Sequence, residues 1–358
     1  LTSLEVPLSA IRAVLSGRVL QRGETLLIGT ELVDVANGWQ LWGERYQRKF
    51  DDLVQIERNI AGDITEALRL RLTGEEKRKL SRGYSENAEA YRVYLQGRFW
   101  WSKRTKEGFD NALRLLDQAI QLDPAFALAY SGIADTYSLM PLYGFMTPRE
   151  AFDKAQAAAD RALQLDDQLP EAHTSMGMVR MYGRWDFDQS EKDFKHAMQL
   201  NPRYPTAHHW YALCVGVRGR FAEARTELIR ARELDPQMPI FTHNLSWVLF
   251  WEQNWTEALS TAMAGLEFAP EFPWLHQSAG QALLELGRSD ESLVHLRKAV
   301  ELAPLASFPH AYLGYALGRT GHEQEARALL AERLEFTKTH YVPPMDIAAI
   351  YVGLSEFD

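Results

Sequence analysis

Histidines recur at regular spacing in this chain, and histidine clusters are a common sign of a metal site. Four of them share one spacing, close to 34 residues or twice that: His173, His208, His276 and His310. A position repeated at this period normally holds a bulky packing residue, which favours helix packing over metal binding. His209 and His243 are also one period apart and should lie on one face, but two ligands without a third make a weak site. The sequence therefore predicts no metal site.

Catalytic motifs are missing from the sequence. No glycine-rich phosphate loop, dinucleotide fingerprint, kinase signature or nucleophile elbow occurs. His322-Glu323 begins like a zinc-protease helix, but Ala326 stands where the second histidine belongs. Asp186-Phe187-Asp188 has the first spacing of a calcium loop without its glycine or final glutamate. We therefore predict a non-catalytic chain without a cofactor.

A repeat organises most of the chain. Successive prolines are 34 residues apart at Pro202, Pro236, Pro270 and Pro304. Each follows a short segment at which we predict that a helix ends. Small residues recur at the same period, as at Ala212, Ser246, Gly280 and Gly314. Such spacing is typical of antiparallel helix pairs, in which small residues let two helices approach closely. Glycines at Gly219, Gly287 and Gly321 mark the turn within a pair.

These residues resemble the tetratricopeptide repeat family, as in His310…Leu313-Gly314…Leu317. The resemblance implies a mainly α fold, a right-handed α-solenoid of helix pairs. We place the array at residues 90–353, after a linker at 73–89. It contains about seven repeats and a truncated eighth, and the seven lie at about 90–124, 127–167, 170–202, 205–236, 239–270, 273–304 and 307–338. A solenoid needs a polar cap, so we expect the natural protein to continue past Asp358. An apolar insertion at 140–148 lies over the groove or packs on a neighbour; the sequence leaves both open.

In such arrays, positions 2, 5, 6, 9, 12 and 13 of each first helix usually face a concave groove. The same count here gives Tyr182, His209, His243, Asn244, Trp247, Trp251, Trp274, Gln277, Phe308 and Tyr315 as candidate partner-binding residues. Aromatic side chains suit burial of a peptide's apolar groups, although some must simply pack between repeats. One subclass of the family grips a terminal carboxylate with groove lysines and asparagines. Asn244 has no such lysines beside it, which disfavours that mode.

The N-terminal segment has a different pattern. Val14–Gln21, Thr25–Val35 and Gln40–Arg48 favour strands, and Phe50 to Leu72 favours a helix. The strings Val14-Leu15-Ser16-Gly17-Arg18-Val19 and Leu41-Trp42-Gly43-Glu44-Arg45-Tyr46 resemble the N-terminal domain of TolB. The resemblance implies a small, partial α/β domain at residues 1–72 that joins bacterial signalling output domains, such as kinases, winged-helix regulators or cyclases, to tetratricopeptide repeats. Because a half-sheet leaves an unpaired edge, a homodimer through this segment is possible.

The distribution of charge along the chain limits the classes of partner that it is expected to bind. Residues 1–82 are near neutral, with 13 basic and 12 acidic residues, so the remaining 26 basic and 36 acidic residues give the rest of the chain a net charge of −10. An acidic array does not favour nucleic acid. No apolar stretch is long enough to cross a membrane, and we expect a cytoplasmic protein. The sequence predicts a protein-interaction and sensing module that binds a protein or peptide. A scaffold or oligomerisation module without a ligand-switched role is the alternative.

Overall fold

The computed structural model describes residue 85 and residues 87–356 in full, and the backbone of three strands before them. These are β1 (Ala13–Arg22), β2 (Thr25–Asp34) and β3 (Gln40–Lys49). They form an antiparallel sheet of order β1-β2-β3, with a register shift between Leu32 and Val33. The predicted helix of residues 50–72 and most of the predicted linker lie outside the described residues. The partial α/β domain therefore stays a prediction.

The chain divides after Val93 into two compact units, and the second is made of helices. Fifteen α-helices occur in the described part of the chain. They are α1 (Ala88–Ser102), α2 (Lys106–Leu122), α3 (Ala127–Leu139), α4 (Pro148–Leu165), α5 (Pro170–Met178), α6 (Phe187–Leu200), α7 (Pro205–Gly216), α8 (Phe221–Leu234), α9 (Pro239–Trp251), α10 (Trp255–Phe268), α11 (Pro273–Glu285), α12 (Ser289–Leu302), α13 (Ser307–Arg319), α14 (Glu323–Phe336) and α15 (Pro344–Gly353). A π-helical turn, Val179–Arg184, extends α5. The mainly α solenoid predicted from the repeat is confirmed.

Small residues bring the two helices of a pair together. A Cβ added to Gly280 of α11 would lie 2.6 Å from Leu296 Cγ of α12, which is closer than atoms pack. The Ser292 hydroxyl of α12 donates to the Gly280 carbonyl oxygen at 2.7 Å. Gly177 and Ser190 make the same pair of contacts between α5 and α6. The recurring small residues are therefore the contact points of each helix pair.

In the turn between the two helices of a pair, the residue two positions before the second helix has a left-handed backbone conformation. Gly219, Gly287 and Gly321 have φ values of 80°, 74° and 81° there, a region that glycine enters at little cost. Other repeats place a larger residue at this position, namely Arg104, Trp185 and Gln253. The turn geometry is thus imposed by the packing of the pair, whichever residue occupies it.

Successive repeats are joined by a recurring side-chain contact. His173, His208 and His276 each donate from Nε2 to a carbonyl oxygen six residues earlier, at 2.8 to 3.0 Å. Tyr130 makes the same contact with the Pro124 carbonyl at 3.3 Å. These carbonyls lie in the turn that closes the preceding repeat. His173, His208 and His276 therefore stabilise the turns between repeats, which agrees with the structural interpretation of their spacing.

Candidate binding groove

The first helices of neighbouring repeats meet along a polar seam. The Ser131 hydroxyl of α3 lies 2.7 Å from the Ser175 hydroxyl of α5. The Asn244 amide of α9 donates to His209 Nε2 of α7. His243 Nδ1 lies 2.9 Å from the Trp274 carbonyl oxygen and 2.8 Å from the Ser278 hydroxyl of α11. These contacts hold the first helices side by side, and their shared face is the candidate groove.

Half of the predicted groove residues lie inside the protein. Five are buried: His209, His243, Asn244, Trp274 and Gln277. Trp274 is only 2% exposed, so it belongs to the core in this conformation and cannot meet a partner without rearrangement. Its replacement is therefore expected to destabilise the fold as well as to alter the groove. The sequence count selected positions along the first helices, but it could not tell which of them a neighbouring segment covers.

The other five predicted residues remain partly accessible: Tyr182, Trp247, Trp251, Phe308 and Tyr315. The Trp247 and Trp251 rings of α9 lie 5.2 Å apart, centre to centre. A small cleft lies between α9, α11, α12 and α13, and the space in and around it, open solvent included, is about 240 Å³. Phe250, Gln281, Tyr312 and Tyr315 line it, together with Leu284, Glu285 and Leu296. Of the five partly accessible predicted residues, Tyr315 lines this cleft, and Phe250 and Tyr312 are two further partly accessible aromatic residues in its lining.

Eight residues between α3 and α4 cover another part of the groove. We call this segment, Met140–Thr147, the strap. The Tyr143 ring packs on Trp274 of α11 at 4.6 Å and on Phe109 of α2 at 5.5 Å, centre to centre. The Tyr143 carbonyl oxygen accepts a hydrogen bond from the Ser307 amide of α13 at 3.3 Å. The strap therefore crosses the groove from the second repeat to the sixth and seventh.

Such a contact is uncommon in a solenoid, where each repeat normally touches only its neighbours. Gly144 permits it in two ways. Its φ of 78° is left-handed, and an added Cβ would lie 2.9 Å from Ser307 Cβ. The strap answers the question that the insertion left open in the sequence, since it lies over the groove and also packs on distant repeats.

A charged cluster at the N-terminal end of the groove was not predicted from the sequence. Arg98 of α1 donates to Asp135 of α3 at 2.9 Å, and the Ser175 hydroxyl donates to the same carboxylate at 2.6 Å. Burial raises the pKa of Asp135, while Arg98 opposes that rise. Burial also raises the pKa of Glu171 to about 7. Asp135 is the ninth residue of its helix, a groove position by the same count that selected the aromatics.

Arg104 lies beside this cluster. It is 1% exposed, and its guanidinium stacks on the Trp101 ring at 3.7 Å. Burial lowers its pKa to about 10, which leaves it charged at neutral pH. Its position could have drawn attention in the sequence, because it falls where three other repeats have glycine.

The groove histidines are neutral at physiological pH. Burial lowers the pKa of His209 well below its usual range, and the Arg104 charge lowers it further. Burial, with a smaller effect of Arg104, lowers the pKa of His243 to about 4, although its bond to the Trp274 carbonyl opposes the shift. Within residues 85 and 87–356, no three histidine, cysteine, aspartate or glutamate side chains gather in a way that could hold a metal ion. Over the same residues, no helix has the length and apolarity needed to span a membrane.

Comparison with known proteins agrees with the repeat geometry. The tetratricopeptide repeat family profile matches residues 275–304, which are α11 and α12. The crystal structure of the yeast Tom70 superposes with a TM-score of 0.50 at 17% identity, covering 76% of this chain and 65% of that one. The Cut9-Hcn1 hetero-tetramer of the APC/C gives 0.54 at 14% identity, over 85% of this chain and 52% of that one. These two likenesses concern the fold alone.

One relative by sequence is a Rhizobium meliloti (strain 1021) protein named as an adenylate cyclase. It is 31% identical over 125 residues, which are 35% of this chain and 21% of that protein. The matched part is thus about a fifth of the relative's length. The tetratricopeptide repeat profile thus matches one helix pair of this chain, and the other described pairs share its period and its fold.

Proposed function

We propose that this chain is a non-catalytic module that binds a protein or peptide in the groove formed by its first helices. The cleft between Phe250, Gln281, Tyr312 and Tyr315 carries the proposal. Partly accessible aromatic rings around an apolar recess suit one large apolar side chain of an extended or helical peptide. Gln281 and Glu285 at the same cleft could position the peptide's polar groups.

We further propose that the module serves a bacterial signalling protein. Two observations support this: the resemblance of residues 1–72 to the N-terminal domain of TolB, and the relative named as an adenylate cyclase. That relative is about five times as long as the matched segment, and this sequence contains none of the catalytic motifs sought in it. The chain would then correspond to a part that senses or recruits, while the output activity resides elsewhere.

A selection of random peptides on the whole chain tests the groove directly. Selected peptides should bind a Phe250→Ala or Tyr315→Ala variant at least about tenfold more weakly, because each change removes a ring from the cleft. Val294→Ala is the matched control, since Val294 is 66% exposed on α12, outside the cleft. Circular dichroism verifies that all three variants keep their helices. Peptides that bind all variants equally would place the binding surface elsewhere.

A second candidate function is oligomerisation through the N-terminal strands. β1 and β3 are the outer strands of the described three-stranded sheet, and each is ten residues long. An outer strand offers backbone donors and acceptors that a second copy of the chain could pair with. Light scattering on the whole chain and on residues 84–358 tests this. A dimer that becomes a monomer on truncation supports assembly through the strands, and a monomer in both cases contradicts it.

A further inference from the structure

Arg104 is a buried cation without a counter-ion. Its Nε and Nη1 atoms are shielded from solvent and have no hydrogen-bond partner, and no ion pair in the described part of the chain includes it. Stacking on Trp101 compensates only part of the lost hydration. A buried charge that is neither paired nor hydrogen-bonded is strongly destabilising. The position therefore needs an explanation other than stability.

The neighbouring carboxylates offset the charge of Arg104 only in part, since Asp135 favours its charged form but forms its ion pair with Arg98. Asp135 is engaged by Arg98 at 2.9 Å and by the Ser175 hydroxyl at 2.6 Å. Glu171, with its pKa raised to about 7, carries only part of a charge at neutral pH. The cluster of Arg98, Arg104, Asp135 and Glu171 thus has an excess of positive charge in a low-dielectric interior.

The backbone at Arg104 adds a second cost. Its φ is 57°, in the left-handed region that a residue with a Cβ enters only with strain. Gly219, Gly287 and Gly321 fill the equivalent position without that strain. Trp185 and Gln253 have the same left-handed conformation in two other repeats, so the backbone alone does not single out Arg104. The turn therefore does not require arginine, and its side chain is the reason to look for a ligand.

Other buried donors in the described part of the chain also have no acceptor, among them one on His209 and one on Trp274. Asn244 donates its amide hydrogen to His209 Nε2, so the neutral ring carries its own proton on Nδ1. That Nδ1 has no partner, and neither has Trp274 Nε1. Arg104 lies close enough to His209 for its charge to lower the histidine's pKa, and Tyr143 links the group to Trp274 through their ring contact. All three residues lack an acceptor at these atoms, and the charge of Arg104 favours an anionic one.

We propose that Arg104, with His209 Nδ1 and Trp274 Nε1 as further donors, forms a binding site for an oxyanion, a carboxylate or phosphate group, roofed by Tyr143 of the strap. Arginine suits both groups because its planar head donates several hydrogen bonds to their oxygens. The strap, a short segment of turns between α3 and α4, is the element that would lift to admit the ligand. This site is separate from the aromatic cleft and does not depend on the peptide function proposed above.

The test uses the whole chain with sodium phosphate or sodium acetate as the probe, at constant ionic strength. A ligand that binds the folded state raises the thermal unfolding midpoint in a saturable way. The midpoint should rise for the wild type, and the apparent affinity should fall at least tenfold in Arg104→Gln. The control is Arg297→Gln, which removes a half-exposed arginine paired with Glu325 on the surface. A response to phosphate alone or acetate alone identifies which oxyanion the site accepts.

Two results would overturn the proposal: a wild type with no saturable response to either probe, or equal responses of the wild type and Arg104→Gln. Should Arg104→Gln fail to fold, Arg104→Gly gives the same comparison, because glycine suits the left-handed turn. A glycine variant that still responds as the wild type does would equally exclude Arg104 from the site.

Discussion

The strap offers the sharpest test of how this array is held together. Tyr143 is 8% exposed, and its ring contacts Phe109, Phe145 and Trp274 at centre-to-centre distances of 5.5, 6.0 and 4.6 Å. Replacing it with alanine removes all three ring contacts but leaves the Ser307 hydrogen bond, because that bond uses the Tyr143 carbonyl. The variant Tyr143→Ala therefore isolates the side chain's contribution.

Removal of a fully buried aromatic ring costs about 3–5 kcal/mol, and each favourable ring pair contributes about 0.5–1.5 kcal/mol within that range. The strap can relax around the lost ring more than a helix can, so we expect the lower end, about 3 kcal/mol. The strap also joins the second repeat to the sixth and seventh. Without it the array returns to nearest-neighbour coupling, and unfolding should become less cooperative.

Urea unfolding followed by circular dichroism and by tryptophan fluorescence measures both effects. The midpoint should fall, and the two signals should no longer coincide, because repeats that the strap had joined would unfold separately. Phe268→Ala is the control, since that ring is 50% exposed at the end of α10 and its loss should cost less than about 0.5 kcal/mol. Two results would contradict this role of the strap: a Tyr143→Ala variant no less stable than Phe268→Ala, or coincident circular dichroism and fluorescence transitions with an unchanged urea slope.

Three further predictions follow from single contacts. Trp274→Ala should lower the free energy of unfolding by about 3–5 kcal/mol, because the ring is 2% exposed, and an unchanged urea midpoint would contradict its place in the core. Gly280→Ala should cost more than Gly287→Ala in the same assay: the first forces a Cβ to within 2.6 Å of Leu296, whereas the second meets no atom within 4 Å and bears only the strain of its φ of 74°, about 1 kcal/mol. Protonation of His243 should lower the free energy of unfolding by about 2 kcal/mol between pH 7 and pH 5. The pKa of His243 is about 4 in the folded chain and about 6.5 in the unfolded chain. The unfolded chain therefore takes up the proton first as the pH falls, and this favours unfolding. His243→Gln should lose that part of the pH dependence, and a variant with the wild-type profile would show that the group responsible is another one.

Local sequence rules predicted much of the repeat. The closing prolines end the second helices, and the glycines at 219, 287 and 321 lie in the left-handed turns within pairs. The recurring histidines pack where a bulky residue was expected, although their bonds to the preceding turn could not be foreseen. The reason is that each repeat is one supersecondary unit, so its constraints act between residues close in the chain. The strands and helix predicted before residue 73 depend on a segment whose described part is backbone alone.

The candidate site was predicted less well. The count along each first helix selected the partly accessible Trp247, Trp251 and Tyr315, but it also selected Trp274, which the strap covers. It gave no weight to Arg104, because a turn residue has no place in a count along helices. Whether a groove position is open depends on what lies across it, and that segment comes from a distant part of the chain.

By itself, then, the sequence determined the helix pairs, their period and their turns, because proline, glycine and small side chains act on the backbone within a repeat. Only the tertiary structure decided that the strap spans the groove, that Trp274 lies in the core and that Arg104 is buried without a counter-ion. Those features arise where residues more than a hundred positions apart meet, and no local spacing encodes that meeting.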